Sequence, residues 1–252
     1  MPRRVRIDNA GYYHIINRGV ERRRVFLSKD DKDKFLSIMC EEFAFYKVTL
    51  HFYVLMDNHY HLLIETTQKN LSDVMRQVNS KYASYFNKKY NRVGHLWQDR
   101  FKSWLVINED YFFTLFKYFE LNPIEAKIVF EYGKFYRSFL YDLLNNQLLT
   151  CSKNSYLLQY NVKYILSMLD VELNDIDLAR LNSIKKDNRD LKKDLLQKPK
   201  DITKVLSTEF TDKESRNLMI VEAKKEGFTQ KEIASFYNIT PSLVSKIIKK
   251  YN

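Results

Sequence analysis

His59-Tyr60-His61 sets two imidazoles two residues apart. On a β-strand, residues i and i+2 project from one face, so both rings would stand together, spaced by backbone rather than by a loop. Neutral imidazoles bind divalent cations, although such a pair also serves as two ordinary, internally satisfied histidines. A second cluster is Lys117-Tyr118-Phe119-Glu120-Leu121-Asn122-Pro123. Tyr118 and Asn122 share a helix face if the helix reaches Asn122. An amide oxygen is a hard third ligand, and a tyrosine hydroxyl beside a metal-bound phosphate is a nucleophile. Spacing alone leaves both roles open. Asn122-Pro123-Ile124-Glu125 reads equally well as the cap, first-turn proline and capping-box acid of a new helix. Tyr118, for its part, is one of 18 tyrosines that could fill a core.

The surrounding sequence supplies the elements that must position these groups. Tyr12–Arg18 is β-prone and ends at Gly19, and Lys29–Lys47 has helical spacing through Phe35, Ile38, Met39, Glu42 and Phe43. Val48–Met56 and His59–Glu65 are strand-like runs separated by the turn dipeptide Asp57-Asn58. Asn70–Tyr90 is helical, His95–Ile107 is β-prone, and Asn108-Glu109-Asp110 caps a helix from Tyr111 to about Leu121. The order βαββαβ followed by a helix predicts an α+β, ferredoxin-like fold.

Chain length, 252 residues, allows one large domain or two ordinary ones, and 45% hydrophobic content can bury a sizeable core. Five glycines, four prolines and 29% charged residues exclude disordered and collagen-like classes. The 42 Lys+Arg against 31 Asp+Glu leave a net charge of +11, which favours a polyanionic partner. Cys40 and Cys151 carry neither CxxC nor metal-ligand spacing, so no disulfide framework is expected, as suits a reducing compartment. The Arg-rich start lacks the apolar run of a signal peptide, and no stretch is long enough to span a bilayer. A soluble, cytoplasmic protein without membrane association is expected.

Beyond about Asp142 the aromatics thin out, and the charged stretch Ile184–Lys204, containing Pro199, suits a solvated helix. Punctuation then sharpens. Thr211 to Glu214 forms a capping box for a helix closed by Gly227, and Thr229 to Glu232 forms another for a short helix closed near Asn238. Thr240-Pro241 heads a third helix, PSLVSKIIKKY. Short helix, tight turn and basic second helix predict a helix-turn-helix. Leu243, Val244, Ile247 and Ile248 should face its core, leaving Ser242, Ser245, Lys246 and Lys249 for DNA.

HYH following LHFYVLMDN, the later KYFELNP, YYHIINRGVERRRVF (Tyr12–Phe26) and GHLWQDRFKS (Gly94–Ser103) together resemble the single-tyrosine HUH transposases of the IS200-like superfamily. The likeness is greatest to the REP-associated tyrosine transposase branch and spans roughly Val5–Val129. It implies a ferredoxin-like fold and metal-dependent cleavage and transfer of single-stranded DNA through a covalent 5′-phosphotyrosine. It further implies His59, His61 and Asn122 as metal ligands for magnesium or manganese, and Tyr118 as nucleophile. Two departures accompany it: Asp57 stands where members commonly have proline, which alters turn chemistry, and Glu120 stands where a neutral residue or histidine is common, bringing a carboxylate that could assist or replace Asn122 at the metal.

The division expected is a catalytic domain over 1–141, a helical, charged connector over 142–210 and a helix-turn-helix region over 211–252. Arg18, Arg22, Arg23 and Arg24, with Arg100 and Lys102, could track phosphates. Trp97, Phe101 and Trp104 could stack on bases, with the two tryptophans favoured as core. Single-stranded DNA, including hairpin ends, and duplex DNA are the expected partners of a monomer or homodimer. The competing reading is a domesticated, non-catalytic DNA-binding regulator with a vestigial HUH site.

Overall fold

The computed structural model describes residues 6–108, 110–170, 173, 175–196, 201–210 and 212–251. Two compact units emerge, Arg6–Asn188 and a second formed from Arg189 onward. The described residues among 142–188 fall within the first unit.

The first unit has the expected α+β order: β1 (Gly11–Arg18), α1 (Lys29–Tyr46), β2 (Val48–Leu55), β3 (His59–Thr66), α2 (Leu71–Lys89), β4 (Lys102–Val106) and α3 (Asp110–Glu125). The strands form one antiparallel sheet, order β2-β3-β1-β4, which is the ferredoxin-like arrangement. Ser28 starts α1 with a reciprocal capping box to Asp31. Of the β-prone stretch His95–Ile107, only Lys102–Val106 becomes strand; the rest is irregular and touches the sheet margin through a bridge between Gly19 and Trp97.

Each sheet face has its own aromatic layer. On one, Tyr60 packs against Phe35 and Trp97 at 4.9 and 5.6 Å, and Trp97 donates its indole N–H to the Asn79 carbonyl. Trp97, expected in the core, is half-buried and packs on this layer. On the other, Phe116 and Phe119 of α3 meet Phe52 at 5.4 and 5.1 Å. Then α4 (Phe139–Leu144), α5 (Val162–Leu169) and α6 (Asp175–Leu196) follow. The α6 segment through Asn188 borders the sheet: the Asn188 amide accepts from the Leu105 N–H at 2.7 Å and donates to the Leu105 carbonyl at 2.8 Å, occupying the outer edge of β4.

Cys40 and Cys151, for which no disulfide framework was expected, form a disulfide, with Cα atoms 5.1 Å apart. The short 3-10 turn Thr150–Ser152 brings Cys151 against α1 across 111 residues of chain, a distance no local spacing motif reports.

The second unit contains α7 (Lys213–Lys225), α8 (Gln230–Tyr237) and α9 (Pro241–Tyr251) around Leu206, Ile220, Phe228, Ile233, Val244 and Ile247. Thr229 and Glu232 make the expected reciprocal box, and Asn238 closes α8 in the left-handed conformation. Thr211 lies outside the described residues; α7 is capped one residue later, by Asp212 accepting from the Ser215 N–H. Glu109 and Pro199 also lie outside them. Among the described residues no helix is long and apolar enough to cross a membrane.

Candidate functional site

Strand register assembles the site. Arg18 of β1 faces His59 of β3; in the next row His61, Ile16 and Lys102 align across three strands; in the third, Leu63, His14 and Trp104 do. Alternation puts all eight side chains on one face, the face that α3 covers. Helix α3 runs to Glu125 with Pro123 inside it, and the Ala126 N–H bonds the Asn122 carbonyl, so Asn122 caps no new helix. Tyr118 and Asn122 therefore do share a helical face. The Tyr118 ring stands edge-on to His61, centroids 5.6 Å apart, and Phe119 wedges beside His61 at 5.2 Å.

Each histidine of the HxH pair is tied through Nδ1. His59 Nδ1 lies 2.6 Å from Asn58 Oδ1, and His61 Nδ1 lies 3.1 Å from His14 Nε2. That leaves Nε2 of each ring for a ligand. Burial holds both imidazoles below their ordinary titration range, His61 by the larger margin, with Arg18 adding to the effect at His59 and the neighbouring histidines at His61. Both are therefore neutral, ligand-competent bases at pH 7. The donor set, two imidazoles and the Asn122 amide, fits a mixed N/O site for a divalent cation. Among the described residues no group of three or more His, Cys, Asp or Glu side chains is placed to hold a metal ion.

Burial raises the Tyr118 phenol above its ordinary value; a hydrogen bond from Asn122 works in the opposite direction, and the Glu125 charge adds to the rise. Asn122 also donates to the Tyr118 carbonyl at 2.6 Å, which pins its amide to the same turn. Glu120 does not join this site. Two positions beyond Tyr118 it points to the opposite side of α3, where it accepts from Ser138 Oγ at 2.9 Å and the Leu140 N–H at 3.1 Å. Its burial lifts its carboxyl to about 7.

Basic groups flank the paired histidines. Arg18 donates to Gln98 Oε1 at 2.7 Å, which holds its guanidinium beside His59. The loop Gly19–Arg24 is pinned to the β2–β3 turn: Gly19 N–H bonds the Asn58 carbonyl, Asn58 donates to the Arg22 carbonyl, and Asp57 pairs with Arg24 at 3.0 Å and Lys32 at 3.5 Å. Asp57 thus does more than change turn chemistry. A Cβ at Gly19 would fall 2.3 Å from the Arg23 carbonyl oxygen, so this tight loop demands glycine. Arg22, Arg100 and Lys102 are exposed. Phe101 is not available for base stacking, because it is buried under the Arg6 guanidinium at 3.6 Å. Trp104, expected in the core, is only half-buried and lies 5.3 Å from His14 on the site face.

Sequence reasoning missed His14, Asn58 and Gln98. His14 was open to discovery: Tyr12–Arg18 alternates as a strand, and His14 shares a face with Arg18. In the second unit, Ser242, Lys246 and Lys249 are exposed on α9 and Ser245 is half-buried. Val244 and Ile247 are buried as expected, whereas Leu243 is 41% exposed and belongs to the outer face.

The ferredoxin-like sheet thus presents an HxH pair beneath a helix-borne tyrosine. Residues 9–122 match the family described as "Transposase IS200 like". Among solved structures, the chain is similar to a REP-associated tyrosine transposase bound to a REP hairpin, at 16% identity and TM-score 0.46, covering 60% of this chain and 89% of that one. It is also similar to a candidate transposase from Deinococcus radiodurans R1, at 17% identity and TM-score 0.34, covering 58% and 98% respectively. No curated protein matches the chain.

Proposed function

We propose that the chain is a metal-dependent single-stranded DNA endonuclease and strand-transferase of the HUH type, with Tyr118 as nucleophile. The observation that carries this reading is the edge-on placement of Tyr118 against His61 at 5.6 Å, with both HxH rings offering Nε2. Held by His59, His61 and Asn122, magnesium or manganese would neutralise the non-bridging oxygens and orient the scissile phosphate. Arg18, braced by Gln98, adds a fixed positive charge on the same face, and Arg22, Arg100 and Lys102 carry the flanking phosphates.

In the reaction Tyr118 Oη attacks phosphorus and the P–O3′ bond breaks. The phenol proton is given up and the departing oxygen becomes a 3′-OH, while the 5′-phosphate stays esterified to Tyr118. One phosphoester replaces another, so that 3′-OH or one on a second strand can reverse the step without an external energy source. The second unit supplies a helix-turn-helix for duplex DNA through Ser242, Ser245, Lys246 and Lys249. Single-stranded DNA, hairpin ends included, is the substrate, and the enzyme acts in the cytoplasm as a monomer or homodimer.

The test is a denaturant-resistant protein–DNA adduct formed on a single-stranded hairpin oligonucleotide with Mg2+ or Mn2+. Its formation by the wild-type chain and its loss in Tyr118→Phe are expected. A chain that binds the oligonucleotide but never forms the adduct is instead the non-catalytic regulator.

A further inference from the structure

The HUH reading leaves one buried titratable group near the site without a role. His14 is 7% exposed, and it is enclosed by Phe119 at 5.0 Å, Trp104 at 5.3 Å and Tyr118 at 6.4 Å. Its single hydrogen bond among the described residues is the 3.1 Å contact of its Nε2 with His61 Nδ1. So enclosed, the ring reaches neither solvent nor a DNA strand.

We propose that His14 is a positioning residue that fixes the tautomer and rotation of His61, so that the His61 Nε2 lone pair points to the cation. The inference rests on the HUH reading for the identity of the ligand, but its chemistry lies one layer deeper. A neutral imidazole that binds through Nε2 must carry its proton on Nδ1. His61 then donates to His14 Nε2, and His14 carries its own proton on Nδ1. His59 is served in the same way by a different group, the Asn58 amide oxygen at 2.6 Å. One ligand is therefore oriented from a turn and the other from the neighbouring strand. The strand-borne partner is the stiffer of the two, because β1 is hydrogen-bonded on both sides, to β3 and to β4.

The experiment uses the full chain and two readouts that require no catalysis. First, long-range 1H–15N spectra of the metal-free wild type at pH 7 should show His61 as the Nδ1–H tautomer; the Nε2–H tautomer would overturn the proposal. Second, Mn2+ titrations followed by the EPR signal of free Mn2+ compare wild type, His14→Phe and His14→Gln. Phenylalanine keeps the ring volume and removes the acceptor, so affinity should fall roughly 10–100-fold. Glutamine restores an acceptor oxygen and should recover most of the loss. Equal Mn2+ affinity in wild type and a folded His14→Phe sinks the idea, as does a weakened His14→Gln that melts like the wild type. Wild-type chain that binds no Mn2+ overturns both this inference and the metal-dependent reading. Mn2+ binding that depends on His14, in a chain whose Tyr118→Phe variant still forms the adduct, overturns only the assignment of the nucleophile.

Discussion

Asn188 closes the sheet by holding both backbone groups of Leu105, at 2.7 and 2.8 Å, as a neighbouring strand would. An open edge invites pairing with another chain, and here a single amide from α6 blocks it. Asn188 is 2% exposed, and it also donates to the Ile184 carbonyl within its own helix. Asn188→Ala should cost about 1–3 kcal/mol, since it strands a donor and an acceptor at a covered edge. Urea denaturation followed by circular dichroism reads the shift in midpoint; an unchanged midpoint would mean that water replaces the amide without loss.

Tyr118→Phe removes only the oxygen proposed to attack. Adduct formation should disappear while oligonucleotide binding, read by fluorescence anisotropy, stays within about two-fold. An adduct in the Phe variant would move the nucleophile elsewhere, Tyr111 being the first candidate, though its hydroxyl is already 2.9 Å from Ser183. His59→Ala with His61→Ala should abolish the adduct too, and raising Mg2+ should not restore it.

Much of this was legible in the sequence, and the reasons divide cleanly. Alternation and turn dipeptides place β1 to β3, and caps such as Thr229 with Glu232 place α8, because those signals are local. His59 and His61 were legible because two residues on one strand must share a face. The His14–His61 contact joins two strands, and the Cys40–Cys151 bond joins a helix to a remote turn; neither has a short-range signature. Glu120 misled because proximity in sequence to Tyr118 is not proximity on a helix, where two positions amount to opposite sides. Pro123 misled because a proline can sit inside a helix when the loss of one backbone bond is offset by packing.

Glu120 makes stability depend on pH. Its folded carboxyl sits at about 7 against an ordinary 4.5, so the native state holds a proton that the unfolded chain has released between those values. Stability must therefore fall as pH rises from about 4.5 to 7, by an amount on the order of 3 kcal/mol in total. Glu120→Gln should flatten this slope in melts taken from pH 5 to pH 8. Adduct formation should be unaffected, since the carboxylate faces Ser138 and Leu140.

The disulfide closes 111 residues of chain. Replacing both Cys40 and Cys151 with serine should lower stability by about 2–4 kcal/mol, with the adduct yield at 25 °C retained. Non-reducing peptide mapping checks the pairing directly, and free thiols at both positions in the purified chain would refute it.

Lys246 and Lys249 are exposed on α9. Changing both to alanine should weaken duplex binding at all sequences and reduce the slope of log affinity against log salt by about two. Cleavage of a short single-stranded oligonucleotide should hardly change. Leu243→Ala, on the outer face as well, should leave the salt slope alone and, if the side chain meets thymine methyl groups, relax preference at one base pair.

The three cross-strand rows also set how the gene can vary without losing its product. Strand β3 is interior, hydrogen-bonded to β1 on one side and β2 on the other. One extra codon between His59 and Leu63 would invert every following side chain. Placed directly after His59, it would turn His61 into the apolar slab beside Phe35 and Trp97 and put Tyr60 in its place. A codon added among the exposed residues 93–95 meets no such ladder and is absorbed as loop. In-frame length changes thus divide the chain into a stretch that tolerates drift and one where a single triplet dismantles the site face.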